Sequence, residues 1–175
     1  MARLTANPLK LEEIANYYND CISALTLYFS DKNPRFEDIF AGETSDEVSS
    51  QLHSRIEELN RSTSLSLLAL IEAIFMMDCK ERDKGSKDDV LSIALIACIT
   101  NKKYILLNDR ILDVWKENIP ELSQELAYLK GALKYRHWLA HGRHFTPNMG
   151  RADYDYSEIY QLTELILKKF PFEGI

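Results

Sequence analysis

The chain is poor in the residues that staple or punctuate a fold. Its three cysteines, Cys21, Cys79 and Cys98, are odd in number, far apart and without C-x-x-C spacing. That excludes a disulfide framework and argues against a thiolate metal site. Each sits among apolar neighbours, as small core residues do in a reducing compartment. Six glycines and five prolines in 175 residues argue against linkers or low-complexity segments. A chain this long can bury a real core, so a single domain over residues 1–175 is expected. The opening stretch MARLTANPLKLEEIANYY lacks the apolar run of a secretory signal. The most apolar stretch, Leu65–Met77, is interrupted by Glu72 and is too short to span a bilayer. The expectation is a soluble, cytoplasmic protein without a membrane segment. Excess positive charge is lacking too. A formal net charge of -6 disfavours indiscriminate nucleic-acid binding but leaves a local basic patch open.

What is present is helical periodicity. Leu11, Ile14, Tyr18, Cys21, Leu25 and Tyr28 recur every three or four residues and predict an amphipathic helix over about 9–30. Pro34 and Gly42 make the next segment an irregular connector with room for one short turn. Ser45 or Asp46 then opens a long helix to about Glu81, striped by Val48, Leu52, Ile56, Leu59, Thr63, Leu67, Leu70, Ile74 and Met77. Ser86 and Asp89 read as a capping box for a buried helix over 90–100. Asn108 is placed to cap a short helix through Trp115. Pro120 suits the first turn of the next helix, about 120–142, which stops at Gly142. Asp155 to Glu158 reads as the cap of a last helix ending before Pro171. Tyr104–Leu107 is the only strand candidate. The expected architecture is all-α, an antiparallel bundle of about five or six helices.

Within this acidic chain, residues 134–144, KYRHWLAHGRH, hold six cationic or titratable side chains and three of the four histidines. From Leu126 through Ala152 there is no Asp or Glu, while Lys130, Lys134, Arg136, Arg143 and Arg151 fall inside the same window. An anionic partner is implied, and the interleaved Tyr135, Trp138 and Phe145 suit stacking on single-stranded nucleic acid. On a continuous helix, Arg136 and His141 are separated by about 7.5 Å of rise and roughly 140° of rotation, so they do not share a face. His137 and His141, four apart, do. His141 stands at the negative end of the helix, suited to proton exchange near neutral pH.

Arg136-His-Trp-Leu-Ala-His141-Gly resembles the Arg-polar-x-x-x-His signature of HEPN domains, and a resemblance over about residues 45–170 is consistent with the layout of that family. It implies an all-α domain and a metal-independent endoribonuclease of the kind found among toxins and phage-defence effectors. By that resemblance, His141 is the general base or acid and Arg136 stabilises the phosphorane-like transition state. His137 orients Arg136 or relays a second proton. Lys134, Tyr135, Arg143 and His144 contact the RNA. Asn60 to Glu72 resembles the long helix that carries an acidic residue facing the motif, so Glu72 is expected to support Arg136. The family implies a homodimer with one composite cleft, and an antitoxin protein as a further partner. Members controlled by nucleotidylation carry a Tyr two residues after the motif His; here Arg143 stands there.

Plainer readings compete. A cation-decorated helix end is common, and Trp138 suits a core. Glu72 also suits the solvent edge of its helix, and Arg61 and Arg82 read as solvated surface. Glu57-Glu58 and Asp88-Asp89 read as solvated faces or caps, and His53 is assigned no role. His137, His141 and His144 have the spacing H-x3-H-x2-H, but without nearby carboxylates no metal or other cofactor is expected. The alternative functions are a catalytically idle HEPN module that binds RNA, nucleotide or a partner protein, and an all-α interaction protein docking an acidic partner.

Overall fold

A computed structural model describes residues 9–85, 88–100, 107–145 and 154–174. Among them are seven α-helices and no strand: α1 (Leu11–Tyr28), α2 (Phe36–Ile39), α3 (Ser45–Lys84), α4 (Val90–Thr100), α5 (Leu112–Asn118), α6 (Ser123–Ala140) and α7 (Tyr156–Lys169). A π-turn over Leu107–Ile111 leads into α5, and a 3₁₀ turn over Pro120–Leu122 leads into α6. The one-turn α2 lies in the connector, so the fold is the all-α bundle expected from periodicity. Ser86, Tyr104 and Arg151 lie outside the described residues, as does the side chain of Asn108.

The 40-residue α3 is the axis of the bundle. It opens at Ser45, as expected, behind a capping box formed by Thr44. Thr44 Oγ1 accepts from the Glu47 N–H, and the Glu47 carboxylate accepts from the Thr44 N–H at 2.7 Å. The Thr44 N–H and hydroxyl, both donating to the Glu47 carboxylate, hold it below its ordinary range. Asp89 caps α4, accepting from the Ser92 N–H at 3.0 Å. Asp155 caps α7 through the Glu158 N–H at 2.8 Å.

Three helices pack along α3, and their directions follow from their contacts. Glu58 meets Arg143 and Glu72 meets Arg136, so α6 runs antiparallel to α3. Tyr18 of α1 bonds Asn60, while its C-terminal end meets Gln51 and Arg55, so α1 is antiparallel as well. Asp155 lies near Asn60 and Pro171 near Arg82, so α7 runs parallel to α3. Leu67, Leu68, Ile71 and Phe75 of α3, Leu126 and Leu129 of α6, and Ile159 and Ile166 of α7 share one core with Trp115. By length and composition, one 18-residue stretch of α3 could cross a membrane. It extends beyond Leu65–Met77, and 56% of it is buried within the bundle, as a central helix requires.

Arg82, expected on the surface, is instead 3% exposed. Its Nε donates to both carboxylate oxygens of Asp78 at 2.9 Å, Nη1 to Ser92 Oγ at 2.9 Å, and Nη2 to the Pro171 carbonyl at 2.7 Å. The guanidinium lies 5.5 Å from the centre of the Trp115 ring. Asp78 is fully buried and also accepts from the Glu173 N–H at 2.8 Å. Burial pushes its carboxyl above the ordinary range, against the pull of Arg82 and the Glu173 amide. Helical periodicity cannot report such a residue, because Asp78 one turn away reads as an ordinary surface pair and the Pro171 carbonyl that completes its burial is 89 positions on. Cys79, next to this pair, is a core thiol pushed up to about 12 by burial.

The pair makes an asymmetric prediction. Asp78→Ala or Arg82→Ala strands a buried charge and should cost about 3–5 kcal/mol, whereas Asp78→Leu combined with Arg82→Met should cost much less. Denaturant unfolding of the three variants checks this.

Candidate functional site

The site is built on the C-terminal end of α6. The helix closes in a Schellman motif. The Arg143 N–H donates to the Trp138 carbonyl at 3.1 Å, and the Gly142 N–H to the Leu139 carbonyl at 3.4 Å. The reversal requires left-handed backbone at Gly142, with φ of 73°. Arg143 follows with φ of 57°, a conformation costing a non-glycine residue about 1–2 kcal/mol. The turn throws the Arg143 side chain back towards α3.

Arg136 points to α3. Its Nη2 lies 2.7 Å from Glu72 Oε2, and both side chains are about one-third exposed or less. The Arg136 Nε is buried with no hydrogen-bond partner. His137 and His141 lie on a different side of α6, both exposed, with ring centres 4.2 Å apart. No hydrogen bond or ring contact joins Arg136 to His141. One chain therefore presents the anchored guanidinium and the imidazole pair on separate faces, as helical geometry requires. Phe145 flanks His137 at 6.0 Å, and His144 Nδ1 lies 2.7 Å from the His141 carbonyl oxygen. Lys134 is exposed.

Tyr135, expected to contact the RNA, is largely enclosed. It is 6% exposed and stacks between Trp138 at 5.7 Å and Tyr154 at 6.0 Å. Position 135 faces α3 and α7, so most of the ring packs in the core behind the motif, and its remaining surface lines a small pocket. Trp138, half-buried, covers it. Gly131 permits this packing, since a Cβ there would meet Tyr154 Oη at 1.9 Å.

The cationic zone is also not what the sequence window suggested. Arg136 pairs with Glu72, Arg143 Nη1 with Glu58 at 2.6 Å, and Lys130 with Asp113. Arg61 Nη1 lies 3.6 Å from Glu58, and its Nη2 pairs with Glu57 at 2.5 Å. Acidic side chains absent from residues 126–152 arrive from α3 and α5. Glu57, Glu58 and Arg61 thus belong to the site, although their sequence context reads as a solvated helix face. The connection of Glu58 to Arg143 spans 85 positions, and only opposite charge hinted at it. The hydrogen bond from Arg143 holds the Glu58 carboxyl below its ordinary range, aided by the charges of Arg143 and Arg61. Glu58 is therefore ionised at neutral pH, and this pairing is lost only as pH falls through that lowered value.

His137, His141 and His144 do not converge, and among the described residues no three His, Cys, Asp or Glu side chains gather as a metal site. The chemistry available is proton transfer by the imidazoles and charge stabilisation by the guanidiniums. No known protein family, curated protein or solved structure matches the chain.

The two ion pairs should differ in strength. A double-mutant cycle on Arg136 and Glu72 should return a coupling of about 1–2 kcal/mol, and one on the more exposed Arg143 and Glu58 under about 1 kcal/mol. Chemical denaturation of the six variants and the parent checks this.

Proposed function

We propose that the chain is a metal-independent endoribonuclease of the HEPN type that cuts single-stranded RNA. The observation that carries the reading is the anchored Arg136, held by Glu72 within a motif whose two imidazoles stand exposed and 4.2 Å apart. The ribose 2′-OH attacks the adjacent phosphorus and the bond to the 5′ oxygen breaks. The products are a 2′,3′-cyclic phosphate and a free 5′-OH. His141 takes the proton from the 2′-OH. His137 gives a proton to the leaving oxygen; its position beside His141 suits relay rather than the orienting of Arg136, which Glu72 already does. Arg136 stabilises charge on the pentacoordinate phosphorus. Lys134, Arg143 and His144 lie where they can take the flanking phosphates.

Arg136 and His141 face apart within one chain, which favours a composite cleft in a two-fold homodimer. The biological setting that fits is a cytoplasmic toxin or phage-defence effector, with an antitoxin protein as a partner. A second reading has an observation of its own. Arg136 and Arg143 are both occupied by carboxylates of the same chain, which suits an idle module that binds RNA, nucleotide or a partner protein.

End-labelled single-stranded RNA in EDTA tests the proposal. The wild type should cut and leave a cyclic phosphate, and Arg136→Ala and His141→Ala should each lose about 100-fold or more. Mixing the two variants should restore part of the activity if one cleft draws on both chains. Wild type and variants equally inert on varied RNAs would overturn cleavage.

A further inference from the structure

A pocket of about 200 Å³ lies between α3, α6 and the start of α7. One wall is the stacked pair Tyr135 and Trp138, with planes 28° apart, and Tyr154 continues it. The polar lining comes from Glu57, Asn60, Arg61 and Asp155, with Glu57 held by Arg61 Nη2 at 2.5 Å. Asn60 accepts from Tyr18 Oη through Oδ1 at 2.8 Å, which leaves its NH₂ group to donate. Asp155 uses Oδ1 to cap α7, which leaves Oδ2 to accept. The lining is thus flat and aromatic on one side, with a donor and an acceptor opposite. That combination suits a planar heterocycle carrying both kinds of group, and the volume suits a purine better than a pyrimidine.

Beside it, Arg61 and Arg143 converge on the Glu58 carboxylate through Nη1 at 3.6 and 2.6 Å, while Arg61 Nη2 stays on Glu57. Two guanidiniums around one anion form a geometry that a phosphate also satisfies. Exposed pairs of this kind contribute little, so an incoming phosphate displaces the carboxylate at small cost. Trp138 lies three residues before His141, about 60° round the helix and about 4.5 Å along its axis. A base against Trp138 therefore brings its ribose beside the motif.

We infer that this pocket is a nucleotide subsite, in which a purine base packs against the Tyr135–Trp138 wall and a phosphate replaces Glu58 between Arg61 and Arg143. The choice of a nucleotide rests on the RNA reading above; the pocket and the paired arginines do not. Glu58 then acts as an internal stand-in for the phosphate, keeping the arginines together while the subsite is empty.

Trp115 and Trp138 are the only tryptophans, so the intact protein gives two indole N–H resonances, and Trp138→Phe assigns them. The experiment titrates AMP, GMP, CMP and UMP against these resonances. The Trp138 signal should move saturably with AMP or GMP and less with CMP or UMP, while that of the fully buried Trp115 stays in place. Arg61→Ala and Arg143→Ala should each weaken binding about tenfold or more. Glu58→Ala should tighten it about two- to five-fold. A Trp138 signal unmoved by all four nucleotides, equal shifts with UMP, or weaker binding in Glu58→Ala would overturn the subsite. RNA cleavage without a Trp138 shift removes the subsite and leaves the nuclease standing. A saturable shift in a protein that cuts nothing does the reverse.

Discussion

The buried pairing of Arg82 with Asp78 is the constraint on which the bundle's lower half depends. A guanidinium and a carboxylate removed from water are tolerable only when nearly every donor and acceptor finds a partner. Here those partners come from three other places: Ser92 on α4, the Pro171 carbonyl and the Glu173 amide. Helices α3 and α4 and the segment after α7 are therefore fixed relative to one another by hydrogen-bond direction as well as by apolar packing. Trp115 lies under the guanidinium and brings α5 into the same arrangement. With that end set, the remaining length of α3 serves as a straight rail. Glu72, Arg61 and Glu58 project from it at fixed heights opposite α6.

That rail explains the electrostatics of the motif end. An acidic chain with a basic window is not obliged to display the window as a bare patch. Helix α3 delivers carboxylates to it at Glu72 and Glu58, and α5 delivers Asp113. The partly buried Glu72 fixes Arg136 in place, while the exposed Glu58 holds Arg143 loosely. One arginine is thereby positioned and the other remains exchangeable. Both roles follow from how far each pair is withdrawn from water.

Periodicity made the helices legible because each buries a stripe against α3, and capping chemistry made their ends legible at Gly142 and Asp155. The opening of α3 at Ser45 was legible too, but Thr44, Ser45 and Asp46 are all capable caps and only the reciprocal bond with Glu47 selects Thr44 among them. The motif residues were visible as a cluster of titratable groups at a helix end. Tyr135 was not visible as core, because an aromatic among cations reads equally well as a stacking platform. Arg82, Glu58 and Arg61 escaped notice for one shared reason. Arg82 is bonded to Pro171 and Glu58 to Arg143, 89 and 85 residues away, and Arg61 joins the site only through Glu58; local sequence carries no record of such long-range matching.

The same long-range pairing bears on how the protein is made. Arg82 must wait for residues 89 and 91 positions further along before its bond to the Pro171 carbonyl and the Asp78 bond to the Glu173 amide can form. At a synthesis rate of about 5–20 residues per second, that is a lag of roughly 5–20 s. During it, α3 and α6 can coil on the ribosome while the charged pair stays hydrated and the lower half of the bundle stays open. Translation itself thus sets the earliest moment at which the rail is locked and the motif end takes its final shape.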